Sequence, residues 1–205
     1  MPRQSDARQK MIRSAAVLFR ERGVHGTSFT DVLAHSGAPR GSIYHHFQGG
    51  KTQLAEEAIQ WAGEFVVAGT VDALGEDDPV QALAVFRERW TKVLRDSDFA
   101  AGCPIVAATL EGEREPTVRD AAGRAFASWE KVLSDALRRR GVSPGRARSL
   151  ATLLIASVEG AIVVARAQRT TRPLEAVSRE LARLLSEALA EPRQSARGAA
   201  RAPGA

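Results

Sequence analysis

Four proline-based signals divide most of this chain into separate helices. Each signal is followed by apolar residues spaced three and four positions apart, which matches one face of a helix. Proline suits the first turn of a helix because the N–H that it lacks is unpaired there in any case, and a preceding Asp or Ser can cap the helix. The signals are Asp78 with Pro79, Pro116, Ser143 with Pro144, and Pro173. Because no alternating run is long enough to require a strand, the sequence predicts an all-α fold of about nine helices.

The N-terminal part of the chain predicts a helix-turn-helix. Apolar residues repeat at helical spacing through residues 5–22, and Gly23 follows as a C-terminal stop. A short second helix follows Ser28, its expected N-cap, and ends at Gly37. Pro39 is then expected in the first turn of a third helix. Two short helices joined by a tight turn that contains glycine form a helix-turn-helix.

The stretch APRGSIYHHFQGGK, residues 38–51, is predicted to present its outer surface to a partner. Only Ile43 and Phe47, four residues apart, share the inward face of a helix. The distribution of charge indicates the partner: residues 1–51 hold eight cations and three acids, whereas the rest of the chain holds 21 of each. A locally basic module on a neutral body fits a polyanion such as DNA. The alternative is a solvated helix face whose charge asymmetry is accidental.

The remaining composition argues against several other classes of protein. The single cysteine, Cys103, excludes an internal disulfide framework, and no N-terminal apolar run resembles a signal peptide, so we expect a cytoplasmic protein. No stretch is expected to supply the roughly 20 apolar residues of a membrane span. No nucleophile elbow, phosphate-binding glycine loop or metal-ligand spacing occurs, so we expect neither an enzyme nor a bound metal or cofactor.

The run TSFTDVLAHSGAPRGSIYHHFQGGK, residues 27–51, resembles the DNA-binding signature of TetR-family transcriptional regulators. The paired glycines before Lys51 and the segment GCPIVAATLE further along the chain resemble the LmrA- and YxaF-like branch of that family. The resemblance implies a DNA-binding domain in residues 5–66 and an effector-binding and dimerisation domain in residues 67–190. It also implies a homodimer that represses transcription from a palindromic operator until a small effector binds. Pro39 departs from the family pattern, which often has a serine or another cap there.

Two other interpretations stay open beside the repressor. One is a ligand-binding or protein-interaction module that retains the helix-turn-helix only as structure, and the other is a transcriptional activator. Residues 191–205 lack periodicity and bulky apolar groups and are expected to form a disordered tail.

The candidate DNA-binding residues follow from their positions in the motif. Arg40 is the candidate for reading a base edge, since a guanidinium can pair with both acceptors of guanine. The glycine after it lets the backbone approach closely. The tyrosine, the histidine and the lysine of the set are assigned to phosphates, and the hydroxyl residues to hydrogen-bond donors. The set is Thr27, Ser28, Thr30, Arg40, Gly41, Ser42, Tyr44, His45 and Lys51. For Arg40 the alternative is a solvated cation.

The second half of the chain supplies candidates for an effector pocket and a dimer interface. Large aromatic residues on the middle helices suit a pocket, with an ordinary core as the alternative: Trp61, Phe65, Phe86, Trp90, Phe126 and Trp129. Thr109 is added to these effector candidates as a polar position that either orients an effector or faces solvent. Apolar and small residues of the last two helices suit self-association, with an intramolecular core as the alternative: Leu153, Leu154, Val158, Ala161, Leu181 and Leu184. Glu111 and Glu159 are polar positions that either orient an effector or face solvent. Cys103 is expected to be a buried small residue rather than a redox sensor.

Overall fold

The computed structural model describes residues 3–74, 78–111 and 115–190, and in these ranges the chain is all-helical. The helices in chain order are α1 (Arg3–Arg22), α2 (Phe29–Ser36), α3 (Ser42–His46), α4 (Gly50–Leu74), α5 (Pro79–Asp96), α6 (Pro104–Leu110), α7 (Pro116–Arg139), α8 (Pro144–Gln168) and α9 (Arg172–Ala190). The predicted all-α class is therefore confirmed for the described part of the chain. The expected tail, residues 191–205, lies outside the described residues.

The helix starts coincide with the proline signals of the sequence. Before α5, the Asp78 carboxylate accepts a hydrogen bond of 3.0 Å from the backbone N–H of Val80, which caps the helix. Ser143 precedes α8 in an extended conformation but makes no side-chain cap hydrogen bond. α9 begins at Arg172, one residue before Pro173. Proline in the first turn fixes these starts because its backbone angle is already helical.

The third helix begins later than the sequence predicts. α3 starts at Ser42, so Pro39 lies in a preceding turn and not in the helix. The Ser42 N–H and hydroxyl donate to the Pro39 carbonyl at 2.9 and 2.6 Å, which closes that turn. The N-cap of α3 is Gly41, which has no side chain to satisfy the first helical N–H groups. Arg40 therefore lies on a turn that leads into a five-residue helix.

Two apolar clusters hold the described helices together. The first cluster joins the four N-terminal helices, α1, α2, α3 and α4, to α6 and α7. Its large buried side chains include Met11, Phe19, Ile43, Phe47, Leu54, Ile59 and Ile105. The second surrounds α8 and joins it to α5, α7 and α9: Leu94, Leu137, Leu150, Ile162 and Leu174. The N-terminal helices therefore share a core with α6 and α7, so a movement of α6 or α7 reaches the N-terminal helices through direct packing.

Helix α8 is more apolar than the sequence analysis expected. By length and composition it is able to cross a membrane, with a mean hydropathy of 1.8 over an 18-residue window. The expectation that no stretch approaches the length and apolar content of a membrane span was wrong. A core helix passes the same test, and α8 packs against both α7 and α9. Its apolar character is used partly in the core and partly on an exposed face described below.

Candidate functional site

Hydrogen bonds at both ends fix the position of α2. At its N-terminus the Ser28 hydroxyl accepts from the Asp31 N–H at 3.2 Å, while the Ser28 N–H donates to the Asp31 carboxylate at 2.7 Å. The Ser28 hydroxyl also donates to the Asp31 carboxylate, and this bond first, with that from the Ser28 N–H second, lowers the pKa of Asp31. At its C-terminus Gly37 has a φ of 67° and donates its N–H to the Leu33 carbonyl at 3.0 Å. Glycine adopts this left-handed conformation without steric cost, which lets the chain turn sharply towards α3.

Helix α3 is held from its inner face and exposed on its outer face. Ile43 and Phe47 are buried as predicted, at 0% and 1% exposure. The Arg8 guanidinium lies over the Phe47 ring at 5.2 Å, which attaches the end of α3 to α1. Tyr44 is 69% exposed and touches Phe29 of α2 edge-on, with the ring centroids 5.6 Å apart. The contact with Phe29 therefore orients the exposed ring of Tyr44, which carries the hydroxyl group.

Most of the candidate DNA-binding residues of the helix-turn-helix are exposed. They are Ser28, Thr30, Arg40, Gly41, Tyr44 and His45, with Ser42 half-buried. Lys51 is half-buried, and its ammonium group donates to the carbonyl of His25 at 3.2 Å, so it also fixes the turn between α1 and α2.

Thr27 and Ser28 have structural tasks instead of free hydroxyl groups. Thr27 is 1% exposed, and its hydroxyl donates to the Gly23 carbonyl at 2.9 Å. The Ser28 hydroxyl belongs to the cap of α2 and donates to the Asp31 carboxylate at 2.5 Å. His46 is half-buried, and its pKa is lowered by burial, by His45 and by Arg8, which favours the neutral form of its ring. Thr27 is therefore a buried support, whereas Ser28 is exposed but its hydroxyl is occupied by the cap of α2.

A cavity of about 330 Å³ lies between α1, α4, α5, α7 and α8. Five of the seven predicted effector residues line it: Trp61, Phe65, Phe86, Trp90 and Trp129. Thr109 does not line it, because its side chain is exposed on α6 and its hydroxyl donates to the Ile105 carbonyl at 2.9 Å. Phe126 does not line it either, because it packs edge-on behind Trp129 at 5.4 Å. The volume falls within the range of about 300–1,000 Å³ that is typical of small-molecule pockets.

The aromatic walls of the cavity are fixed by local contacts. Trp61 and Phe65, one turn apart on α4, stack with ring centroids 5.4 Å apart. Phe65 is 65% exposed and therefore lies at the mouth. The Trp129 indole N–H donates to the Gly63 carbonyl at 3.1 Å, which satisfies its one polar atom. The aromatic and aliphatic side chains of the walls therefore form a mainly apolar surface that a ligand can contact.

The burial of Glu159 in the cavity wall is the main difference from the cavity lining that the sequence predicts. The sequence favours its exposure at least as readily as its burial, yet it is 9% exposed and lines the cavity from α8. Burial raises its pKa to about 7, although a hydrogen bond from the Cys103 thiol acts in the opposite direction. Cys103 is buried, as predicted, and burial followed by the Glu159 charge raises the pKa of its thiol. The spacing of Glu159 from Ile155 and Ile162 is the sequence signal that places it on the inner face.

The predicted dimer residues divide between the core and the surface. Four of them are buried within the single chain: Leu154, Val158, Ala161 and Leu181. Leu184 is half-buried, and Leu153 is 45% exposed. The four buried residues therefore pack within the single chain, which was the alternative to a dimer interface. The apolar face that α8 exposes, here called the α8 outer face, is a different stripe: Leu153, Ala156, Gly160, Val163, Val164 and Ala167.

Contacts between α6 and the helix-turn-helix were not visible in the sequence. The Glu111 carboxylate accepts a hydrogen bond of 2.7 Å from the His25 N–H. The carbonyl of the same histidine accepts the hydrogen bond from Lys51. The Gly102 N–H, on the cavity wall, donates to the Arg20 carbonyl at 2.7 Å. Partners separated by 86 residues leave no periodic signal, so helical spacing does not predict them. The Gly102 bond connects the cavity wall to α1, and the Glu111 bond connects the end of α6 to the turn that precedes α2.

Family models match two parts of the chain. Residues 11–58 match the model described as bacterial regulatory proteins, tetR family. Residues 79–180 match the model described as transcriptional regulator LmrA/YxaF-like, C-terminal domain. The first match contains the helix-turn-helix, and the second contains most of the helices that enclose the cavity.

Similar proteins match over most of their length. An uncharacterised HTH-type transcriptional regulator of Mycobacterium tuberculosis is 43% identical over 190 residues, which cover 90% of this chain and 96% of the relative. The HTH-type transcriptional regulator LmrA of Bacillus subtilis is 32% identical, with 84% of this chain and 93% of the relative covered. The HTH-type transcriptional repressor DhaR of a Mycobacterium species is 27% identical, with coverages of 82% and 86%.

Solved structures share the fold. A TetR transcriptional regulator from Chloroflexus aurantiacus superposes with a TM-score of 0.73 at 28% identity, covering 91% of this chain and 98% of its own. A regulatory protein TetR from Rhodobacter sphaeroides superposes with a TM-score of 0.76 at 22% identity, with coverages of 86% and 97%.

Proposed function

The chain belongs to the TetR family of DNA-binding transcriptional regulators, and from this premise we propose that it is a repressor that leaves its operator when a small apolar or aromatic molecule enters the cavity. The observation that carries the proposal is the outward set of Arg40, Tyr44 and His45, on a segment held from inside by Ile43 and Phe47. A helix with only a structural task has no need of such a set. Relatives named as repressors support the direction of regulation.

The DNA contacts follow from the geometry of the helix-turn-helix. We assign Arg40 to a guanine edge in the major groove, since it leads into α3 on an exposed turn. Tyr44 and His45 contact the phosphates beside it, and Thr30 does so from α2. Lys51 donates to a phosphate while it holds the His25 carbonyl, because an ammonium group has three hydrogen-bond donors.

A homodimer accounts for the α8 outer face. This face places leucine and valine side chains in contact with solvent along one side of a long helix: Leu153, Val163 and Val164 are 45%, 48% and 42% exposed. Small residues between them, such as Ala156 and Gly160, allow close approach of a second helix. An isologous dimer through this face repeats the recognition helix about one DNA turn away, or a multiple of it, which requires a palindromic operator.

Release of DNA is supported by the bonds between the cavity wall and the N-terminal helices. Gly102 lines the cavity and donates to Arg20 of α1, and Glu111 at the end of α6 binds the turn before α2. A ligand that favours another position of α6 therefore biases the position of the helix-turn-helix. The mechanism uses binding alone, so we propose a cytoplasmic regulator that requires no cofactor and catalyses no reaction.

DNA titrations with arginine and lysine variants test the DNA assignment. We expect Arg40→Ala to cost about 1–3 kcal/mol on the operator and to relax the preference at one base position. Lys51→Ala should weaken binding to all sequences alike and reduce the slope of log affinity against log salt by about one. The control is Arg179→Ala, which removes an exposed arginine on α9 and should leave both quantities unchanged.

The DNA upstream of the protein's own gene is the first fragment to titrate, because a palindrome there supplies a candidate operator. Wild-type affinity for duplex DNA that does not depend on sequence or on salt would contradict the proposal. A reporter fused to the same fragment separates repression from activation. Deletion of the gene for a repressor raises expression of the reporter, whereas deletion of the gene for an activator lowers it.

A further inference from the structure

Among the residues that the structure describes, Glu159 is the one acidic residue that lines the cavity, and the other lining residues are mostly apolar and include two arginines, Arg20 and Arg89. We propose that the effector is an organic cation: a ring-containing apolar body that carries an ammonium group, with the Glu159 carboxylate as its counter-ion. The inference rests on the proposed effector function of the cavity and adds the chemical class of the molecule that fills it. It also assigns Glu159 as the residue that determines specificity.

The Glu159 carboxylate lacks part of its expected hydrogen bonding. Its Oε2 atom is buried and has no hydrogen-bond partner, and its only side-chain partner is the Cys103 thiol, a weak donor. Glu159 forms no ion pair with any residue that the structure describes. A buried carboxyl oxygen without a partner costs free energy, so it favours a ligand that brings a donor. The chain supplies the negative charge and leaves the positive charge to a ligand.

The charged groups around Glu159 do not supply that positive charge. Arg20 of α1 lines the cavity, and Arg166 of α8 lines a second cavity of about 290 Å³ behind Glu159. Arg166 donates to the Ala100 carbonyl at 2.8 Å. The Nε atoms of Arg20 and Arg166 are buried without a hydrogen-bond partner, and neither arginine forms an ion pair with Glu159. Arg89 of α5 is exposed on the side of the first cavity. The other ionisable groups that line the two cavities belong to α1 and to the start and end of α6: Glu21, Arg22, Cys103 and Glu111.

The aromatic walls favour the same class of ligand. All three tryptophans of the chain, Trp61, Trp90 and Trp129, line the cavity. The ring faces carry partial negative charge, and they attract an organic cation while they also pack against its apolar body. An anion placed beside Glu159 would face its carboxylate, so this position in the cavity disfavours an anion. A neutral alcohol satisfies the hydrogen bond but leaves the charge uncompensated.

Proton linkage follows from the buried acid. Burial raises the pKa of Glu159 to about 7 in the empty protein, so below neutral pH the group is mostly protonated. An ammonium group beside it favours the carboxylate and lowers that pKa, so binding releases a proton. Affinity for the cation should therefore rise about tenfold per pH unit below pH 7 and become constant above it. A neutral ligand of the same shape should show a much smaller dependence.

A matched set of small probes tests the ligand class directly. We propose isothermal calorimetry of the full chain without DNA, using 2-naphthylmethylamine, 2-naphthalenemethanol and 2-naphthoic acid, which share one ring system. At about pH 7.5 the amine should bind at least about tenfold more tightly than the alcohol, because a charge-assisted hydrogen bond is stronger than a neutral one. The acid should bind more weakly than the alcohol. Titrations in buffers of different ionisation enthalpy at about pH 6 should show proton release with the amine.

Two variants identify the group responsible. Glu159→Gln keeps the shape of the side chain, so it should bind the alcohol as the wild type does while it loses the preference for the amine and the proton release. Glu180→Gln removes a carboxylate from an exposed ion pair on α9 and should bind all three probes as the wild type does. Equal or weaker binding of the amine than of the alcohol by the wild type, or no binding of any probe, would overturn the assignment. So would a preference for the amine that survives in Glu159→Gln.

DNA release is measured separately, so that the two proposals fail separately. If the amine binds with the expected preference but does not lower operator affinity, the ligand class is supported and the proposed effector role of the cavity is contradicted. If the amine lowers operator affinity in the wild type and in Glu180→Gln but not in Glu159→Gln, both proposals are supported.

Discussion

At the scale of single residues, Glu159 has a measurable consequence for folding. Its pKa is raised from 4.5 to about 7 by burial, so the native state binds a proton between these values that the unfolded state has lost. Stability contributed by the neutral acid is therefore fully present below about pH 4.5, declines as pH rises, and is lost above about pH 7. The two pKa values correspond to a loss on the order of 3 kcal/mol.

Glu159→Gln is expected to remove this pH dependence. Because the amide stays neutral, the variant should be more stable than the wild type above pH 7 and similar to it near pH 4.5, with the difference developing between these values. Urea unfolding measured across this pH range by circular dichroism checks the prediction. Parallel stability curves for the two proteins at all pH values would show that Glu159 ionises as freely as an exposed acid.

Residue type alone was a weak guide at the positions where packing decides. Thr27 resembles a surface donor in sequence, but the turn after α1 uses its hydroxyl and buries the side chain. Glu159 resembles a solvated acid because charged residues are mostly exposed. Ile43 and Phe47 were predicted correctly because a spacing of four residues identifies one helix face without further information.

At the scale of helices, the cap of α2 positions the recognition segment. We expect Ser28→Ala to lower the free energy of unfolding by about 1 kcal/mol, because the variant leaves the Asp31 N–H without its side-chain acceptor. Operator affinity should fall as well, since α2 supports Tyr44 of α3 through Phe29. Thr30→Ala, an exposed substitution in the first turn of the same helix, is the control for stability. Denaturant unfolding of the three proteins measures the difference, and equal midpoints would contradict the role of the cap.

Helix boundaries divide into those that local signals determine and those that tertiary contacts determine. The starts of α5, α6, α7 and α8 follow from a proline that fixes the backbone within its own turn. The start of α3 does not, because Gly41 supplies no cap and the inward packing of Ile43 and Phe47 determines which residues are helical. The bond from His25 to Glu111 lay beyond prediction for a related reason, since it depends on how α6 packs on α1.

At the scale of the whole molecule, the sequence predicted that the last helices are apolar but not which face of them is exposed. A stripe of leucine and small residues suits a core and an interface equally well. In the structure Leu154 and Val158 face the cavity side of α8, whereas Leu153 and Val164 face outward. This division accounts for the high hydropathy of α8, because the helix carries apolar residues on its core side and on its outer face, the face that we propose a second chain covers.

Disruption of the α8 outer face is expected to convert the protein to a monomer. Leu153→Glu places a charge within the proposed interface, at the N-terminal end of the α8 outer face, where it loses water without gaining a partner. Sedimentation at micromolar concentration should then give the mass of one chain, and operator affinity should fall because two linked recognition helices no longer bind together. Val71→Glu is the control: it places the same charge at an apolar residue that is 50% exposed on α4, a helix that packs on α1, α5, α6 and α7, and should leave a dimer. Circular dichroism of both variants should show unchanged helix content, since each residue is already exposed in the single chain. A Leu153→Glu protein that stays dimeric would place the interface elsewhere on the surface.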